Sequence, residues 1–539
     1  MYSGSKLFFG KCRIKIKFIN PKLKTMFGIF LQLRMVIIVF LLFSCSSANK
    51  HTQTKLGEIN FITTGKKQAK PYFEKGFLLL HSFEYIDAAE EFKKAREADP
   101  GFVMAYWGEA MTHNHPLWRY QNFEKATEIL QQLATSPEER VNKAVTALEK
   151  DFISAINILF GRGNKTERDK RYASFMETLY KKYPGNNEVA AFYSIALLGS
   201  VTEGRDDKVY EQAAAIAKQV LAKNPRHPGA LHYLIHAYDD PAHAAMAVIT
   251  ADKYSVIAPD AGHALHMPTH IYLALGMWEK VISSNVTSWQ AGVNRKERKG
   301  LTNDALNYHA FHWLLYGYLQ QDQNQKAKKV LQDMKRYTDE LGSARAREHM
   351  IYIKTTYLTE TTAWEPDIVS IEVPQNDLNI ATRAMNYFIN GSYAFHKKDE
   401  TALADIIQKL AGERLIDLQR VDTGGVVMCG SVNSAIPNLL DVQYAEVMEM
   451  ELKALQAWLK KNVSETENWF KKATNLENNI SYSYGPPAIV KPSNELYGEW
   501  LLEMKRPKEG LEQFELSLKA APKRSLSEKG KEKALKFLG

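Results

Sequence analysis

One spacing recurs along this chain and limits what it can fold into. Gly76 is followed at +12, +16, +19 and +24 by Ala88, Phe92, Ala95 and Pro100. Near the other end, Gly498 is followed at the same offsets by Gly510, Phe514, Ser517 and Pro522. Tyr238, Ala247, Tyr254 and Pro259 continue the pattern in the middle, and Pro225 and Pro259 stand 34 residues apart. Further units are recognisable around Tyr318-Ala327-Leu331 and Tyr393-Ala402. Small residues let two antiparallel helices approach, an aromatic fills the space between them, and Pro stops the second helix. The sequence between these positions is rich in Ala, Leu, Lys and Glu, with Gly and Pro at the joints, as helical segments require. Such a unit cannot bury its apolar face alone, so units must stack. The spacing predicts an all-α solenoid of helix hairpins from about residue 69 to 535.

These offsets are those of the packing residues in the tetratricopeptide repeat family, and residues 69–525 resemble it over most of their length. The resemblance implies a right-handed superhelix whose concave groove takes a protein or peptide partner. Ala105-Tyr-Trp-Gly-Glu-Ala-Met111 with Asn114-His-Pro-Leu-Trp118, and Tyr484-Gly-Pro-Pro487 with Lys491-Pro492, are similar to segments of exported bacterial lipoproteins of this family. That subgroup is poorly described in function, so the resemblance implies a fold more than an activity. Two stretches depart from the repeat. Asp367–Asp377 reads as a linker between repeats at 69–366 and C-terminal repeats at 378–539, and Thr423–Pro437 carries Gly424-Gly425.

A net charge of +9 suggests a polyanion partner until it is located. Residues 1–44 hold eight Lys and Arg and no acid, so the leader carries nearly all of the excess and no nucleic acid is expected as partner. The leader ends in the nine-residue apolar run Met35–Phe43, behind Arg34 and before Ser44-Cys45-Ser46-Ser47. That is the layout of a secretory signal, too short to span a membrane. Leu42-Phe43-Ser44-Cys45 resembles the bacterial lipobox, which implies an exported protein lipid-anchored in the cell envelope through Cys45, with residues 45–68 as a tether. With Cys12 in the leader, Cys429 is left without a partner, and three cysteines make no disulfide framework.

Seven of the fifteen histidines fall between His227 and His270. His232 and His236 are i, i+4, as are His266 and His270, and the two pairs are offset by one 34-residue repeat. The repeat register places all four in the groove, with His263 beside them and His309 and His312 in the next unit. Imidazoles about 5–6 Å apart on one helix face, on helices about 8–10 Å apart, are placed to converge on one transition-metal ion. The sequence therefore offers His232, His236, His266 and His270 as ligands of a divalent zinc- or copper-type ion. Asp239 and Asp240 stand one turn further on, as supports or ligands. The metal site is the alternative; the leading expectation is a polar groove on an exported, lipid-anchored scaffold that contacts a protein or peptide partner. Pro268 is expected to break the helix between His266 and His270.

Catalytic templates fit poorly, so the reading leans away from an enzyme. His232-Tyr-Leu-Ile-His236 has zincin spacing, but Tyr233 stands where the general-base Glu is needed. No phosphate-binding Gly-rich loop, nucleophile elbow or dinucleotide fingerprint is present. His113, His115 and Trp118 form a second small constellation, expected to be a helix-ending loop with Trp118 packed inward.

Overall fold

Six helix pairs are closed by one and the same turn. Phe83, Gly276, Asp322, Lys398, Lys461 and Lys505 all sit in the left-handed region, with φ between 54° and 62°. After each, the next N–H reaches back five residues to a carbonyl. These bonds are Glu84 to Leu79, Met277 to Tyr272, Gln323 to Tyr318, Asp399 to Ala394, Asn462 to Ala457 and Arg506 to Leu501, all 2.8–3.0 Å. That is a Schellman closure, which satisfies the last carbonyls of the first helix and starts the second antiparallel to it. Only one of the six residues is Gly, although a side chain at this φ costs roughly 1 kcal/mol.

The computed structural model describes residues 55–202, 204–421, 436–482 and 484–539. The leader, Cys45, Gly424-Gly425 and Cys429 lie outside the described residues. The helices run α1 Lys70–His81, α2 Tyr85–Ala98, α3 Val103–Met111, α4 Phe123–Leu133, α5 Pro137–Lys143, α6 Ala147–Leu159, α7 Lys165–Lys182 and α8 Asn187–Ser200. They continue as α9 Asp207–Lys223, α10 Pro228–Ala237, α11 Val248–Ile257, α12 Gly262–His266, α13 Pro268–Ala274, α14 Trp278–Lys299, α15 Tyr308–Gln320, α16 Asn324–Glu340 and α17 Ala344–Thr361. The last are α18 Pro366–Val369, α19 Ile380–Lys397, α20 Glu400–Leu418, α21 Leu439–Leu459, α22 Val463–Asn479, α23 Ser493–Glu503, α24 Pro507–Ala520 and α25 Ser525–Leu538. Among the described residues the only sheet is a two-residue ladder, Asn114 opposite Gln121 and His115 opposite Tyr120. No helix of the described residues is long and apolar enough to cross a membrane.

The fold is the all-α, tetratricopeptide-type array that the spacing predicts, and the packing residues do what their offsets require. The Phe92 ring lies against Gly76 and Gly108, where an added Cβ would stand 3.1 and 2.3 Å from it. Phe514 lies in the same way against Gly498 and Gly530, at 2.9 and 2.3 Å. Pro225 and Pro259 fall in the turns before α10 and α12.

Two expected joints are built differently. Residues 55–68 are no free tether: Leu56 is buried, Glu58 N–H bonds Arg226 O (2.9 Å), and Thr64 bonds Glu149 through both its N–H and its hydroxyl. Residues 367–377 do not divide the core. Ile389 packs with the side chains of α15–α17, and Ile351 of α17 packs with those of α19–α23. The segment is also tied down, by Lys354 donating to Ile371 O (2.8 Å) and by an Arg347–Asp377 ion pair.

Gly108→Ala and Gly530→Ala should each cost about 1–3 kcal/mol, since the new methyl must displace a buried ring. Lys461→Gly, which relieves the left-handed turn, should leave stability equal or slightly higher. Urea unfolding of the three variants checks both directions.

Candidate histidine centre

The histidines sort into two sets of three, divided differently from the sequence register. His232, His236 and His263 form one; His266, His270 and His309 form the other; in each, one ligand nitrogen per ring lies within 4.8 Å of the other two. The four-histidine set His232, His236, His266 and His270 is therefore split across two centres. Pro268 breaks the chain as expected: α12 ends at His266 and α13 begins at Pro268, with His266 and His270 rings still 5.2 Å apart. The sets adjoin, with ring centres of His236 and His270 5.6 Å apart and those of His263 and His266 6.2 Å apart.

Hydrogen bonds outside each set fix which nitrogen faces inward. His232 donates Nδ1–H to the carbonyl of His81 (2.8 Å). His266 donates Nδ1–H to Asn285 Oδ1 (2.8 Å), and the Asn285 amide is held in that sense by its own bond to Val281 O (2.9 Å). His270 donates Nδ1–H to Asp239 Oδ2 (2.5 Å). A carbonyl, an amide oxygen and a carboxylate behind a ring are the supports that metal-bound imidazoles use, because they leave Nε2 as a lone pair. With its Nδ1–H committed, His232 accepts at Nε2, so the 3.1 Å contact from His236 Nε2 must carry the proton of His236.

What remains is a set of buried nitrogens with nothing to bond. His236 Nδ1, His263 Nε2, His266 Nε2 and His309 Nε2 are all sealed from solvent without a hydrogen-bond partner. Each such atom costs about 1–3 kcal/mol, and folded proteins rarely accumulate them. Burial, aggravated by the neighbouring imidazoles, holds His232, His236, His263 and His309 well below the ordinary histidine range and brings His266 down to about 3. All five are neutral, as coordination requires.

Aromatic walls surround the centre. Phe83, in the left-handed turn after α1, packs against His232 with ring centres 4.2 Å apart and planes tilted by 58°, and lies stacked with His236 and His263 at 6.0 and 5.7 Å. Trp313 lies 4.6–5.1 Å from His266, His270 and His309, and is itself covered by Gly485, where a Cβ would meet its ring at 2.5 Å. Trp118 reaches His263 at 6.1 Å, which brings part of the His113–Trp118 loop to the centre, while His115 stacks on Tyr85.

Several expectations need correcting. The predicted groove is not an open surface: His232, His236 and His266 are 0% exposed and His270 1%, because the turn after α1 and the 484–487 segment close over them. His312 belongs to neither set; it bonds Thr356 Oγ1 (2.9 Å). Asp240 pairs with His243 and Arg205 rather than with the ladder, and only Asp239 supports it.

Sequence reasoning also missed a third cluster, His81, Glu188 and His227. Its bonding is complete. His81 and His227 each donate Nε2–H to Glu188 Oε2 (3.2 Å), Tyr233 donates to His81 Nδ1 (2.9 Å), and Ala230 N–H donates to His227 Nδ1 (3.1 Å). Against the opposing effect of burial, the two imidazoles hold the Glu188 carboxyl well below the usual carboxylate range. This cluster is a structural brace whose His81 carbonyl orients His232. His227, outside the repeat register, is the side-chain cap of α10.

No protein-family model matches the chain, and no curated protein matches it. Similar solved structures include Cut9 in the APC/C Cut9–Hcn1 hetero-tetramer, 11% identical over 89% of this chain and 78% of that one, TM-score 0.34. Yeast Tom70 is 12% identical over 87% and 95%, TM-score 0.32. A human IFIT1 dimer with m7Gppp-AAAA is 14% identical over 81% and 90%, TM-score 0.34. The superpositions are loose at these scores, and the architecture stands on the hairpin turns and ring-on-glycine packing of the chain itself.

The buried imidazoles set a pH dependence. They are neutral in the fold, whereas in the unfolded chain they titrate near 6.5. The unfolded chain thus takes up protons first as pH falls, and stability present above about pH 6.5 is lost progressively toward about pH 3. Urea midpoints of metal-free protein measured between pH 7.5 and 4.5 should fall steadily across that window.

Proposed function

We propose that this helical-repeat scaffold binds two transition-metal ions, one on His232, His236 and His263 and the other on His266, His270 and His309. The observation that carries the reading is the four sealed, unpartnered imidazole nitrogens, two in each set. The completed bonding of the His81–Glu188–His227 cluster supports it by contrast, since that fully buried group of titratable side chains in the same protein leaves nothing unsatisfied. Three neutral imidazoles suit Zn, Cu, Ni or Fe and leave a coordination position open. An ion held in this way acts as a Lewis acid and makes a bound water more acidic.

A protein or peptide partner is the second element of the reading. Burial of the ladder moves any such surface away from the histidines, and the exposed apolar stripe Met246, Ile249 and Val256, 49–74% exposed, favours the outer side of α11. Export and lipid anchoring through Cys45 complete the proposal on the strength of the leader alone.

Purified protein reconstituted with zinc should carry two ions per chain by elemental analysis. His263→Ala and His309→Ala should each remove one, and Asn285→Ala should weaken the second site by about 10–100-fold. His227→Ala should keep both ions and lose stability instead. A protein that binds no ion, or whose metal content ignores these substitutions, contradicts the reading. Separately, Cys45→Ala should move the protein from the detergent phase to the aqueous phase in a two-phase partition.

A further inference from the structure

Buried charge in the C-terminal hairpins leaves one carboxyl unpaired. Arg524, fully buried, pairs with Glu495 (2.8 Å) and Glu360 (2.5 Å). Lys491 pairs with Glu495 (3.0 Å) and with the partly exposed Glu499 (2.5 Å). Two more carboxyls stand in the same electrostatic neighbourhood, Glu451 of α21 and Glu477 of α22. Glu477 and Glu499 are both half-buried, whereas Glu451 is fully buried and no cation pairs with it. Burying an uncompensated carboxylate costs several kcal/mol, so the Glu451 carboxyl is neutralised either by a proton or by a cation.

The unsatisfied atoms say where a cation would sit. Glu451 is 0% exposed and neither of its oxygens has a hydrogen-bond partner. The hydroxyl of Ser493, also 0% exposed, lies beside both Glu451 and Glu477 without completing a bond of normal geometry to either. Asn494, 4% exposed, donates from Nδ2 to Asn478 (2.8 Å) and leaves its Oδ1 unpartnered. Glu477 is positioned by the Ser493 N–H, which donates to its Oε2 at 2.6 Å. All these donor atoms are oxygens, from carboxyl, hydroxyl and amide groups, and they come from three helices.

We propose that Glu451, Glu477 and Ser493 hold a hard divalent cation, and that the ion is Ca2+. Calcium accepts six to eight oxygen ligands at about 2.3–2.6 Å, including two-toothed carboxylates and neutral oxygens, whereas Mg2+ demands a tight octahedron and retains its waters. Imidazole sites select borderline transition metals and this oxygen site does not, so the protein sorts two kinds of ion by donor hardness. A cation there also neutralises the buried Glu451 carboxylate, which no Lys or Arg pairs with. The competing occupant is a pair of protons: burial raises the Glu451 carboxyl well above its ordinary value and Glu477 to about 7.

The test uses the full chain stripped with EDTA, with CaCl2 as probe at pH 7.5. Calorimetric titration should show one Ca2+ per chain, and CaCl2 should raise Tm. Ser493→Ala should weaken binding at least tenfold and Glu451→Gln should abolish it, while zinc binding by the histidine sets stays at two ions. Absence of heat and of any Tm shift with wild-type protein, binding of MgCl2 in preference to CaCl2, or Ca2+ binding unchanged in Ser493→Ala would each overturn the proposal. The wild-type and Ser493→Ala measurements decide it even if Glu451→Gln fails to fold.

Discussion

A buried imidazole has two nitrogens, and each needs a partner. In this protein that requirement is met on the outer side of the two histidine sets and left unmet at four nitrogens, His236 Nδ1, His263 Nε2, His266 Nε2 and His309 Nε2. His81 O, Asn285 and Asp239 each take a proton from the outer nitrogen of a ring. These bonds fix the orientation of the rings that carry or adjoin the four unpartnered nitrogens. In water such an array would solvate itself; packed against Phe83 and Trp313, its four unpartnered nitrogens are out of reach of solvent. A pair of cations resolves it, because a cation is the one occupant that rewards several converging lone pairs at once.

The fold serves this by bringing distant segments to one place. The turn after α1 supplies both the His81 carbonyl and the Phe83 ring, more than 140 residues from the helix they cover. Phe83 occupies a position where the other five hairpins carry Gly, Asp or Lys. A bulky aromatic in left-handed backbone is strain kept for a local reason, and the reason here is a lid on His232, His236 and His263. Arg295 and Lys299 of α14 pair with Asp87 of α2 and lock the same hairpin in place from the other side.

The repeat was legible because its signal is steric and local. Gly76, Phe92 and Gly108 must meet if the hairpins are to stack, and their spacing is dictated by helix geometry. The positions of Pro225, Pro259 and Pro268 were readable for the same reason. The histidine cluster was visible as density, and His232, His236, His263, His266, His270 and His309 do come together. Their division into sets was not readable, since it depends on how α12 and α13 kink and on which ring α15 turns inward. His312, one turn from His309, bonds Thr356 and joins neither set. The His81–Glu188–His227 brace had no signal at all, because its members are separated by 107 and 39 residues and meet only through tertiary packing. The unpaired Glu451 carboxyl was equally hidden: Glu residues are common on helices, and only burial distinguishes this one.

The central claim is that the inward-facing lone pairs converge on metal. The most direct measurement is an anomalous difference map, recorded on either side of the zinc absorption edge, from crystals of protein reconstituted with zinc. The account predicts two peaks, one within bonding distance of His232, His236 and His263 and one within bonding distance of His266, His270 and His309. A map without peaks at these positions, with ordered water or side-chain rearrangement satisfying the same nitrogens, would contradict it.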